Sequence, residues 1–155
     1  MLWNDETYRI WTEAFYAGSY AVSKWKEGDK IQFLSPDGSG MYSKIVENKP
    51  NMLMSFKHIG NIKNFEEQPI DEETKEWVNS LEAYHLTETN GITKLDVSLN
   101  SVEQYKDYFD KTLPVTLKNV KELAENPYLI TINTEVNVPV EKVWKYWTLA
   151  QHIIH

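Results

Sequence analysis

Leu129–Trp147, LITINTEVNVPVEKVWKYW, is the stretch whose reading decides the fold. Ile130, Ile132, Thr134 and Val136 alternate with Thr131, Asn133, Glu135 and Asn137, the two-residue period of a half-buried strand. Pro139 then fits the first position of a helix, where no amide donor is needed, and Glu141 in the first turn suits the helix dipole. Val140, Val143, Trp144 and Trp147 recur at helical spacing, so the strand gives way to an amphipathic helix within a few residues.

The wording of that stretch, TEVNVPVEKVWKYWT over 134–148, resembles the opening of SRPBCC (START-like, helix-grip) domains. The likeness is to the activator-of-heat-shock-protein-ATPase-like branch, whose first strand runs through a small-Pro-x-Glu-x-Val-Trp turn into the first helix. In that family the motif opens a domain, whereas here it stands at the end of the chain. The resemblance therefore implies a permuted chain or one cut across a tandem repeat. Residues 1–126 would form a helix-grip domain lacking its own first strand, and 127–155 the first strand and helix of a second copy. That segment would complete the sheet of its own chain or, swapped, that of a neighbour in a homodimer. Met1–Trp11, read as a helix already under way with Leu2, Tyr8 and Trp11 on one side, echoes the chain's end when Leu2 is set against Trp147.

Between the two ends the pattern is that of a meander. Phe15–Val22 reads as a strand with a glycine turn or bulge, and Trp25–Asp29 matches a Trp-x-x-Gly loop of the family. Ser35-Pro36-Asp37-Gly38-Ser39-Gly40 is a turn that pairs Lys30–Ser35 with Met41–Glu47. After the turn at 48–51, Met52, Met54, Phe56 and His58 take the inward phase of the next strand. Residues 61–80, rich in Asp and Glu, read as an exposed acidic excursion with one helical turn near Trp77. They lack the sharp-turn glycine of a calcium loop. Asn90-Gly91 joins Leu81–Thr89 and Ile92–Leu99 as a hairpin, with Tyr84 and Leu86 facing inward alongside Leu95, Val97 and Leu99. Val102–Glu125 is the longest helical pattern, with Tyr105, Phe109, Leu113, Leu117, Val120 and Ala124 as its apolar stripe and Pro114 predicting a kink or break. The expected class is α+β, a curved antiparallel sheet of about seven strands around a long C-terminal helix. Its first strand and helix would be drawn from the end of the chain.

Composition narrows function. The chain has 155 residues, 41% of them hydrophobic and 13% aromatic, enough for one ordinary core. With no cysteine it has neither a disulfide frame nor a thiolate zinc site, and a net charge of −7 without a basic patch argues against nucleic acid and anionic membranes. No long apolar run is present, and a cytoplasmic location is expected. His152 and His155 share a helical spacing without a third ligand, so no metal is expected. No nucleophile motif or phosphate-binding glycine loop points to a catalytic residue or a cofactor.

A sheet gripping a helix leaves a space between them, and aromatic or Met side chains in such a space suit apolar ligands. The candidates are Phe15, Tyr20, Phe33, Tyr42, Met52, Met54, Phe56, Tyr84 and Phe109, each of which could equally be plain core. The expected function is non-enzymatic binding of a small apolar molecule or of a protein partner, a chaperone if the resemblance extends so far. The alternative is a cavity enzyme of the polyketide cyclase or dehydratase kind, with Tyr42, His58 and Tyr84 as carriers. His58 buried in the cavity beside a second titratable group would favour the enzyme.

Overall fold

The computed structural model describes residues 1–126 and 135–148. The chain runs through α1 (Asp5–Thr12), β1 (Tyr20–Val22), β2 (Lys30–Leu34), β3 (Gly40–Lys49), β4 (Leu53–Lys63), β5 (Glu66–Glu67), α2 (Glu72–Trp77), β6 (Leu81–Thr89), β7 (Ile92–Leu99), α3 (Lys106–Glu125) and α4 (Val140–Thr148). The strands form one antiparallel sheet in the order β1-β2-β3-β4-β6-β7, and β5 pairs with the far end of β4. Chain neighbours are therefore mostly sheet neighbours, as short turns between successive strands dictate. Asn90 and Gly91 both take positive φ, 54° and 77°, which gives the β6–β7 turn the twist its strands need.

The inner face of the sheet follows from the register. Ile31 pairs with Ser43, Ser43 with His58, Ile45 with Phe56, Phe56 with Glu82, Met54 with Tyr84, and Glu82 with Leu99. Ile31, Ile45, Met54, Phe56 and Tyr84 are buried together with Leu2, Tyr8 and Trp11 from the N-terminal segment and Val120 and Leu123 from α3. Phe56 lies at the centre of this cluster. Its ring stands 5.6 Å from Trp3, 5.4 Å from Phe33, 6.4 Å from Trp25 and 6.2 Å from Tyr84, mostly edge to face.

Several elements differ from their sequence reading, each for a local reason. Asn4 caps α1 by accepting from the Thr7 amide, so the first helix begins at Asp5 rather than running in from the start of the chain. Trp11 and Tyr8 do share its buried side, and the Trp11 indole donates to the Leu2 carbonyl at 3.0 Å. Phe15–Val22 extends only from Tyr20, because the amides of Phe15 and Ser19 close turns on the carbonyls of Thr12 and Tyr16. The acidic excursion is more ordered than its charge implied. β4 continues to Lys63, and Asp71 caps α2 through the Thr74 amide at 2.8 Å. Thr74 and Trp77 are buried, and Asn61 donates to the Thr74 hydroxyl at 3.1 Å.

In α3 the stripe is shifted by a residue at its end: Thr116, Val120 and Leu123 are buried and Ala124 is exposed. The helix passes through Pro114 without a break. Packing on both sides of the proline, at Phe109 and at Thr116 and Val120, holds the two halves together, and such tertiary packing is where most helical stability comes from. A turn of 3-10 helix, Glu103–Tyr105, leads into it. Most of the strand read at 129–136, including how it would pair, lies outside the described residues, as do His152 and His155. The helix after Pro139 is present as α4, with the amides of Lys142 and Val143 bonded to the Pro139 carbonyl.

Candidate functional site

Between the sheet and the N-terminal half of α3 lies a cleft of about 450 Å³, within the range of small-molecule sites. Phe33 from β2, Met41 from β3, His58 and Asn61 from β4, and Glu82 and Leu99 from β6 and β7 supply the sheet side. Tyr105 comes from the turn before α3, Tyr108 and Phe109 from the first turn of α3, Phe15 and Tyr16 from the loop after α1, Tyr20 from the start of β1, and Trp77 from α2. Two hydrogen bonds hold the rim. The Tyr105 hydroxyl donates to Glu73 and the Tyr108 hydroxyl to the Phe15 carbonyl, each at 2.9 Å, tying the start of α3 to α2 and to the α1–β1 loop.

The polar floor is built from three strands. The His58 side chain is 10% exposed, with Nδ1 2.8 Å from the Ser43 hydroxyl and Nε2 3.5 Å from Glu82 Oε2. The Tyr84 hydroxyl donates to the other oxygen of Glu82. A carboxylate beside Nε2 favours the proton on that nitrogen, which leaves Nδ1 to accept from Ser43. Burial lowers the pKa of His58 and outweighs the pull of Glu82 in the opposite direction. Burial, then the Glu82 charge, pushes the Tyr84 and Tyr8 hydroxyls well above the ordinary tyrosine value.

A stability prediction follows from the buried imidazole. Its folded pKa lies below the unfolded value of about 6.5, so the unfolded chain takes up the proton first as pH falls. The stability held by neutral His58 is full above about pH 6.5 and is lost as pH drops from there through the folded value. Chemical denaturation at about pH 5 and 7 should show this loss, and His58→Gln should shrink it. An unchanged difference in the variant would place the titration elsewhere.

Of the nine residues proposed from sequence, Phe15, Tyr20, Phe33 and Phe109 line the cleft. Met54, Phe56 and Tyr84 lie in the close-packed core beneath it. Two are placed elsewhere. Met52, expected inward, is 63% exposed at the β3–β4 turn. Tyr42 faces the other side of the sheet, where its ring packs over Gly60 and under the Lys30 ammonium. Tyr42 alternates with Met41 and Ser43, which take the inner face, and Met52 belongs to the turn before β4 begins. Opposite Tyr42 the ladder is irregular: Tyr42 pairs with Gly60 but Ser43 with His58, so Ile59 is an extra residue in β4 and the inward phase of β4 changes there. Sequence reading passed over Glu82 and Asn61. Glu82 shares the alternation of Tyr84 and Leu86, so its inward position was readable, whereas Asn61 needed the bulge. Among the described residues no three His, Asp or Glu side chains converge as a metal site, and no helix is long and apolar enough to cross a membrane.

A curled antiparallel sheet holding one long helix, with a cleft between them, is a helix-grip fold. No family model and no curated protein matches the chain. Among solved structures it is similar to protein MLL2253 from Mesorhizobium loti, with a TM-score of 0.57 and 13% identity over 81% of this chain and 90% of that one. It is also similar to the Aha1 dimer from Colwellia psychrerythraea, with a TM-score of 0.53 and 16% identity over 79% of this chain and 87% of that one. The fold is thus helix-grip and Aha1-like, as the Pro-x-Glu-x-Val-Trp wording implied.

Proposed function

We propose that this domain binds a small, largely apolar molecule in the cleft between the sheet and α3. The observation that carries the reading is the cleft itself, about 450 Å³ with eight aromatic side chains in its lining. Mutual packing of those rings does not fill the space, and apolar lining with a few convergent polar groups is the make-up of a ligand site. Thermal shift with naphthalene-sized compounds should raise the melting temperature, and Phe109→Ala should weaken the effect about tenfold in affinity. Phe109 suits the test because it lines the cleft from a half-buried position. No shift with any such compound would remove the reading.

Catalysis is the second reading, favoured by His58 standing buried in the cleft beside Glu82. Both ring nitrogens already face protein groups, Ser43 and Glu82, an arrangement that also serves simply to fix the ring. Binding therefore comes first, and a protein partner such as a chaperone stands beside it as an extension of the family resemblance.

The second proposal for this chain concerns assembly. Val136 is 54% exposed and Val140 71% exposed in the single chain, and β7 ends the sheet among the described residues. The segment from 127 onward would dock against the sheet of a second copy, giving the exchanged homodimer, one of the two arrangements the sequence left open beside completion within the chain. The Colwellia relative was itself solved as a dimer. Light scattering should then report twice the chain mass, with Val140→Asp shifting it toward the monomer. A wild-type monomer at about 100 μM would leave completion within the chain as the remaining arrangement.

A further inference from the structure

We propose that the ligand of this cleft is an organic cation, an amine with an aromatic or aliphatic body, whose ammonium group is held by Glu82. The inference rests on the binding reading above and names the charge of what is bound.

The lining contains two carboxylates, Glu82 at the floor and Glu73 at the rim, and neither lysine nor arginine. Arg9 of α1 is not part of the lining; it is engaged with Asp5 and over the Tyr20 ring. Glu82 is the unusual member. Its side chain is only 19% exposed, yet among the described residues no lysine or arginine lies within ion-pair distance of it. Its neighbours are the Tyr84 hydroxyl and the His58 ring, and burial keeps both in their neutral forms. A carboxylate withdrawn from water without a cation is costly, and a positively charged ligand removes that cost. The aromatic walls act in the same direction, since ring faces such as those of Trp77 and Phe33 attract ammonium groups. A fatty-acid anion would meet both carboxylates with no compensating charge, so the lining discriminates against the other common amphiphile.

The test uses three compounds of one shape on the full chain: 1-naphthylmethylamine, 1-naphthalenemethanol and 1-naphthoate, titrated calorimetrically at neutral pH and physiological salt. The amine should bind about tenfold or more tightly than the alcohol, and the carboxylate most weakly. Glu82→Gln should bring the amine-to-alcohol ratio close to one, a ratio read within the variant itself. The overall charge of −7 attracts any cation, but this substitution changes it by one unit only, so an unchanged ratio in the variant would overturn the assignment to Glu82. An alcohol that equals or exceeds the amine in the wild type would overturn the cation inference and leave the cleft a ligand site. Binding by none of the three would overturn both. The wild-type comparison decides whether the cleft prefers a cation even if Glu82→Gln does not fold, and Glu82→Asp, which keeps the charge and should keep the preference, then tests the position of the carboxylate.

Discussion

Phe56→Ala should remove about 3–5 kcal/mol of stability, a large share of the roughly 5–15 kcal/mol available to a domain of this kind. The residue is 1% exposed and its ring touches aromatic partners from the N-terminal segment, the β1–β2 loop, β2 and β6, so no single neighbour can move to close the space. Urea unfolding followed by tryptophan fluorescence would report the loss directly, since Trp3 and Trp25 lie against the ring. A change below about 1 kcal/mol with an unchanged slope would mean that the cluster repacks and that Phe56 is not its centre. Phe56 entered as a ligand candidate; its packing makes it the support on which the cleft stands.

Gly40→Ala should be as damaging although it adds only a methyl group. A β-carbon at position 40 would stand 2.0 Å from the Phe33 carbonyl oxygen and 3.1 Å from the Leu34 α-carbon, both of them backbone atoms. Leu34 and Gly40 are the last pair of the β2–β3 hairpin, so relief requires the strands to part. We expect a loss of about 3 kcal/mol or more, and a fall in melting temperature of about 10 °C. Phe33, the next pair along, would lose its place in the cleft wall, so ligand-induced stabilisation should fall as well. A melting temperature within about 2 °C of wild type would show that the hairpin tolerates the separation.

The parts of this fold that local chemistry governs were legible in the sequence. Asn90-Gly91 demands positive φ at two positions and so announces its hairpin, and the three-to-four spacing along α3 announces a helix laid on a sheet. The start of α1 was missed because Asn4 caps it only three residues into the chain, where the apolar pattern had already been read as helix. The helical turn near Trp77 was readable and is α2, but the burial of Thr74 and Trp77 was hidden in residues whose charge reads as solvated; the bond from Asn61 to Thr74 helps fold the segment back onto β4. At the site the aromatic lining was half legible, since residue type marks Phe33 or Phe109 as apolar without separating core from cavity wall. Glu82 was readable by alternation alone. A charged residue at an inward position is the sort of local inconsistency that marks a functional or strained site.

The extra residue at Ile59 bears on how this cleft can vary or be redesigned. Below it, the inward positions of β4 are even-numbered, Met54, Phe56 and His58; beyond it Asn61 is inward and Gly60 faces out. One wall of the cleft is thus written in two reading phases that meet beside the imidazole. Substitutions on either side of that seam can alter the far wall without disturbing the floor, provided the strand length is kept. Deleting Ile59 would leave His58 opposite Ser43 and Gly60 opposite Tyr42 with no residue to spare, keeping both faces and losing only the local bend, whereas a single deletion away from this point would exchange the inner and outer faces of the strand beyond it.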